Sequence, residues 1–437
     1  MYKEIDYNKT LGIYKPSFFY MELGVETEFE DILKNKSSES VFFHEYIHFL
    51  QDVLTIYGIN NTRSNFLLLQ NAISFMQGIR KTLKYLPLEI KSKHEEDFRK
   101  IFEYTYGIND RNTFNMLNKC SRIVDLERKE ERLNNNLVVI YNVFLDGIKS
   151  PYQLGARDIK ESMAYLLQKW VYGNDIPNPP VCPYKTIEML ADYCCPASFP
   201  EKIYLIALCE LSLQCANPMM FFMETLDIFS KENYIPNNIT EFGDKIMSGK
   251  KIECNGIEYS DCKSLYNSIA DDLIDQLHVL FKDDFFSKAM LWLNKLLGNA
   301  KQMVSKETLS ITMLFISNGV SNFHEIVTSI LGAPIIYIKD KKTGYFFNVY
   351  EASGDLYFLR VLERFRDSLY YGTSCWLDEY CKEIFKNLKT YDHTDNNCRE
   401  HPTKRKQQNC PFVYICNLFG LPEDVEFCNY FKKPNFA

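Results

Sequence analysis

Between Val41 and Tyr57 the chain reads V-F-F-H-E-Y-I-H-F-L-Q-D-V-L-T-I-Y. His44, Glu45 and His48 form an H-E-x-x-H set, and on a helix residues four apart stand one above the other. Two imidazoles are thereby turned toward one point, which is what a zinc ion asks of two nitrogen ligands. Glu45, rotated by about 100° from His44, can reach a water at the metal without binding the metal itself. That is the position of a general base.

The rest of this segment is apolar. Phe42, Phe43, Ile47, Phe49, Leu50, Val53, Leu54 and Ile56 surround the motif on nearly every face, so the helix is expected to be buried. Two histidines and a carboxylate inside it cost free energy unless they are paired or bound to a metal. The bland alternative is a pair of core histidines bonded to backbone carbonyls, with Glu45 in a salt bridge. Asp52, four residues beyond His48, is expected either to accept the second ring N–H of His48 or to face solvent.

Two histidines need a third protein ligand to hold zinc with an open position. The segment A-R-D-I-K-E-S-M-A-Y-L-L-Q-K-W after Gly155 supplies a candidate in Glu161. Its helix is apolar along Ile159, Met163, Leu166 and Leu167, and the small Ser162 and Ala164 permit close approach to the first helix. Glu210, Glu188 and Glu325 are rivals, Glu210 first because it interrupts the most apolar stretch of the chain. A closed structural site would add a fourth protein ligand, such as Glu210 or a cysteine.

The elements that must position these residues follow from pattern. Ser17–Leu23 reads as a strand whose edge could pair with an extended peptide. Ser37 or Ser38 is the expected N-cap of the motif helix, which should end near Gly58. Helices are expected over residues 63–85, 94–106 and 111–133, with a strand over Leu137–Leu145. Further helices are expected over 201–215, 218–230, 261–298, 306–331, 354–371 and 375–388, with a break at Asn217-Pro218. Hairpins are expected around Asn255-Gly256 and between residues 334 and 350.

With 437 residues, the chain is longer than a single core usually grows. Two regions are expected: residues 1–235 around the metal motif, and a mainly helical region 236–437 that could cover the cleft. The predicted class is α+β, predominantly helical, with a small sheet beside the metal helix. A net charge of −7 without a long basic run argues against nucleic-acid binding. No secretory signal or bilayer span is evident, so a cytoplasmic location without membrane partners is the default expectation. The 14 cysteines include no C-x-x-C pair, so they read as reduced, buried thiols rather than a second metal site.

H-E-Y-I-H followed, a strand and many residues later, by a helical E-S-M-A resembles the gluzincin branch of the zincin metallopeptidases. The metzincin pattern is absent, because no glycine and third histidine follow His48 at short spacing. An N-E-x-x-S-D segment of the thermolysin-like kind is also absent, and the interval from His48 to Glu161 is long. The resemblance covers two short motifs. It implies a zincin-like fold in which His44, His48 and Glu161 bind zinc and Glu45 acts on the water, with a peptide or protein as substrate. The alternative is a non-catalytic helical interaction protein, stabilised by zinc or free of metal.

Overall fold

In the computed structural model, Asn35 opens the helix that carries the H-E-x-x-H set. The structure describes residues 11–25, 31–88, 93–107, 122–133, 136–173, 176, 179–196, 198–248, 252–254, 257–318, 323–338, 343–346, 358–371, 411–422 and 425–427. The Asn35 side chain accepts from the backbone N–H groups of Ser37 (3.0 Å) and Ser38 (3.3 Å), which would otherwise lack partners at a helix start. The cap therefore lies just ahead of the two serines expected to provide it. Two strands precede this helix, β1 (Gly12–Lys15) and β2 (Tyr20–Leu23), joined by a tight turn where residues 17–23 had suggested one strand. Ser17 (φ 67°) and Phe19 (φ 49°) in that turn hold left-handed backbone, which side-chain-bearing residues adopt only when their surroundings fix it.

The motif helix, α1, spans Lys36–Leu54 and is buried on every face from Ser40 onward. Burying each phenylalanine such as Phe42, Phe43 or Phe49 contributes roughly 1.5–3 kcal/mol. Thr55 is extended and ends the helix four residues before the expected stop. Its hydroxyl then accepts from Gly58 N–H to start α2 (Ile56–Gly78). Gly58 has a different task from the expected C-cap. A Cβ there would stand 2.2 Å from Gln51 O, so only glycine lets α2 turn back this closely on α1.

A short strand, β3 (Tyr85–Leu86), and α3 (Lys93–Tyr106) follow. Then comes an antiparallel sheet of β4 (Ile123–Leu133), β5 (Asn136–Leu145) and β6 (Tyr152–Leu154). The described half of the helix expected over 111–133 is thus a strand. Its charged sequence favours helix locally, but ten-residue pairing with the apolar β5 overrides that preference. The second site helix, α4, spans Ala156–Tyr172.

Helices α5 (Thr186–Cys194), α6 (Lys202–Ser212), α7 (Pro218–Glu232) and α8 (Ile239–Met247) come next. The break at Asn217-Pro218 is present: the Asn217 side chain caps α7 and proline occupies its first turn. Strands β7 (Ile252–Cys254) and β8 (Ile257–Tyr259) form the hairpin expected there. The single helix expected over 261–298 is two, α9 (Cys262–Leu280) and α10 (Ser287–Lys306), and α11 covers Ser310–Asn318. The helix expected over 306–331 is present in pieces, α11 and a second segment that is α-helical at Phe323–Glu325 and π-helical at Ile326–Ile330; then come β9 (Ile335–Ile338), β10 (Thr343–Phe346) and helices Phe358–Tyr371 and Pro411–Leu418. The helix expected over 375–388 lies outside the described residues.

The architecture is mixed α+β and predominantly helical. What positions the motif helix is a four-stranded sheet in the order β1-β2-β9-β10, with β1 at its edge. Strand β2 pairs antiparallel with β1 and parallel with β9, so residues near 20 and near 335 are neighbours. One hydrophobic cluster runs from Tyr14 to Val425, and this sheet joins chain segments on both sides of residue 235. Phe323 packs on Phe42, Phe43 and Tyr46, and the Tyr46 hydroxyl donates to Gly332 O (2.7 Å), sealing the back of α1. Among the described residues, no helix is long and apolar enough to cross a membrane.

Candidate metal centre

Helices α1 and α4 lie antiparallel, and hydrogen bonds pin their relative position at both ends. The Gln168 side chain donates to Ser40 O (2.7 Å), and that of Gln51 donates to Lys160 O (3.0 Å). Ser162 and Ala164, both fully buried, let the two backbones approach. The start of α4 is fixed separately: Asp158 accepts from Gly155 N–H (3.0 Å) and from the Tyr152 hydroxyl (2.8 Å). Gly155 also meets Gly107 backbone to backbone, where a Cβ on Gly155 would fall 2.3 Å from Gly107 N.

Between these fixed ends, His44, His48 and Glu161 come together. Glu161 Oε2 lies 3.2 Å from His44 Nε2 and 3.3 Å from His48 Nε2, and the three donor atoms all lie within 4.8 Å of one another. Ligands about 2.0–2.1 Å from a tetrahedral ion stand roughly 3.3–3.4 Å apart, so the two glutamate–imidazole spacings suit one divalent metal. Both imidazoles are buried, and Glu161 keeps about a fifth of its side chain exposed, so the cluster opens to solvent on one side. Among the described residues this is the one such group of three.

The partner of His48 differs from the one expected. Its Nδ1 lies 2.9 Å from Gln51 Oε1, while Asp52 turns toward Lys160 and Ser17. An acceptor on Nδ1 places the proton there and leaves Nε2 free to ligate. Glu210, Glu188 and Glu325 are all elsewhere. Glu210 caps α11, accepting from Ile311 N–H, Thr312 N–H and the Thr312 hydroxyl. Glu188 pairs with Lys202 (2.9 Å), and Glu325 is exposed.

Burial raises the Glu45 carboxyl to about 7, with the His44 imidazole opposing, Glu161 reinforcing, and the Tyr14 backbone amide offsetting part of the rise. Burial alone would raise Glu161 too. The His48 and His44 rings outweigh it and hold Glu161 well below the usual carboxylate range. The two neighbouring carboxyls are thus driven apart, one kept ionised and one poised near neutrality.

Three contributors were not read from the sequence. Gly12 in β1 passes so close to Glu45 that a Cβ would lie 2.7 Å from its Cγ and Oε1. A glycine inside a β-prone stretch is a signal for such an approach. Gln51, polar in an apolar helix and three residues after His48, was equally visible. Tyr184 carried no signal. Its ring lies 5.7 Å from that of His44, on a turn held by Ser162, whose hydroxyl donates to Pro183 O (2.8 Å). The Glu161 charge, then burial, then Glu45 push the Tyr184 phenol far up, so it stays protonated as a hydrogen-bond donor.

Compared with known protein families, with curated proteins and with solved structures, the chain shows no significant match.

Proposed function

We propose that this chain is a zinc-dependent peptidase of gluzincin type, with His44, His48 and Glu161 holding the ion and Glu45 as general base. The observation that carries the reading is the meeting of three donor atoms from two helices, 117 residues apart in sequence, with a carboxyl poised near neutrality beside them. Bound zinc would supply Lewis acidity toward a water and a substrate carbonyl. Glu45 takes the proton of the attacking water and returns it to the leaving amine, a task that favours a group titrating near the working pH. Tyr184 donates its phenolic hydrogen to the oxygen that gains charge.

A peptide substrate is supported by β1. Gly24 N–H donates to Leu11 O, so in this ladder residues 11, 13 and 15 turn their backbone groups to β2. Gly12 and Tyr14 turn theirs outward along the edge beside Glu45; Tyr14 N–H is directed at Glu45 itself, so the Gly12 amide and the two carbonyls are what this edge offers an extended peptide. Three protein ligands rather than four among the described residues favour an open position over a closed structural site.

The test is zinc content by atomic emission together with cleavage of a mixed set of internally quenched peptides. One zinc per chain, cleavage abolished by a chelator, and a Glu45→Gln variant that keeps zinc but cleaves nothing are the expected results. A purified protein that takes up no zinc, or a Glu45→Gln variant with full activity, overturns the reading.

A further inference from the structure

Glu45 and Asp52 lie seven residues apart, on one face of α1, and about 10.5 Å apart along its axis. The segment running beside that face offers a backbone amide to each: Tyr14 N–H is directed at Glu45, and Ser17 N–H donates to Asp52 Oδ2 (3.1 Å). The two carboxylates therefore hold β1 and its turn at two points. The other oxygen, Asp52 Oδ1, accepts from Lys160 Nζ (3.1 Å), and Lys160 directly precedes Glu161. Asp52 and Lys160 are both buried, so the pair is screened little by solvent. The Tyr14 hydroxyl lies beside the same carboxylate without hydrogen-bonding geometry. Asn65 adds a bond to the Ser17 hydroxyl (3.0 Å), so the left-handed turn is anchored through backbone and side chain alike.

We infer that Asp52 is a positioning residue that ties the edge strand β1, through its turn, to the metal-site helix α1, and so sets where β1 and Tyr14 N–H lie against Glu45. This rests on the peptidase reading for its catalytic half; the mechanical half stands by itself. One oxygen of Asp52 serves each donor. Asparagine keeps a single oxygen, which the charged Lys160 claims because charge-assisted bonds are the stronger. Its amide N–H₂ then faces Ser17 N–H, donor against donor, and β1 is released.

The experiment compares wild type, Asp52→Asn, and Asp52→Asn combined with Lys160→Met. Three properties are read on each: hydrogen–deuterium exchange over residues 11–20 by mass spectrometry, zinc affinity, and kcat and KM on an internally quenched peptide that the wild type cleaves. Asp52→Asn should speed exchange over residues 11–20 about tenfold or more and lower kcat about 10- to 100-fold, the scale of a small misplacement at a reacting centre. Zinc affinity should change less than about threefold, because the ligands keep their own supports. In the double variant the asparagine oxygen is free to take Ser17 N–H, so exchange and kcat should both recover substantially. Unchanged exchange in Asp52→Asn overturns the inference, as does faster exchange with unchanged kcat. Loss of activity in step with loss of zinc, or no recovery in a folded double variant, overturns it too. A wild type that binds zinc yet cleaves no peptide refutes the peptidase reading and the catalytic half with it, while the exchange result still decides whether Asp52 anchors β1.

Discussion

Glu45 and Glu210 are two buried glutamates, both raised by burial to about 7, and they do different things. Glu210 accepts three hydrogen bonds from Ile311 and Thr312, all between 2.6 and 2.7 Å, and thereby satisfies the start of α11. Glu45 faces one backbone amide and stands beside two imidazoles and a second carboxylate. A displaced pKa therefore marks burial in both, and only the neighbours distinguish a strut from a candidate proton carrier.

The comparison breaks most directly at Glu45. On the peptidase reading, Glu45→Gln should lower peptide cleavage by about 10²–10⁴-fold with zinc content unchanged, whereas Glu210→Gln should leave turnover per folded molecule intact. Equal losses from the two substitutions would erase the distinction. Next, Glu161→Ala should weaken zinc binding by at least about 100-fold, measured by competition with a chromogenic chelator. Gln51→Leu, which removes the support of His48 together with the bond to Lys160 O, should cost about tenfold or more.

A subtler probe is Gly12→Ala. Its methyl group displaces the Glu45 carboxylate, and kcat should fall about 10- to 100-fold with little change in melting temperature. Glu210→Gln should instead lower stability by roughly 1–3 kcal/mol in urea unfolding, since its new amide group confronts amide and hydroxyl donors.

The smallest effect is in pH dependence. A carboxyl raised from 4.5 to about 7 binds a proton in the folded chain that the unfolded chain has released. Its contribution is full below about pH 4.5 and is lost as pH rises through about 7. In zinc-free protein, Glu45→Gln should therefore be nearly neutral at pH 5 and stabilising at pH 8 by roughly 1–3 kcal/mol. Glu210→Gln should destabilise at both pH values.

How much of this was legible beforehand depends on sequence distance. The spacing of His44, Glu45 and His48 is local and could be read directly. Glu161 could be nominated only by the apolar stripe and small residues of its helix. That pattern says the helix is buried, not against what, and Glu210 fits the same description. The N-terminal cap shifted from Ser37 or Ser38 to Asn35 because three capping residues compete within four positions. Residues 123–133 were misread because D-L-E-R-K-E-E-R carries helix-favouring charge, and the pairing that overrides it comes from β5. Tyr184 and the Asp52–Lys160–Ser17 arrangement exist only once separate elements meet, so no periodicity announces them.

The pairing of β2 with β9 also bears on when the molecule can first work. Among the described residues, the group that could hold a metal has been synthesised by position 161, but the strand that flanks β2 arrives only with residues 335–338. A growing chain halted between those points carries its whole ligand set beneath a two-stranded ribbon, and isolated ribbons of that size are at best marginally stable. On the peptidase reading, competence would wait on a pairing more than 170 residues downstream, separating synthesis of the ligand set from its support.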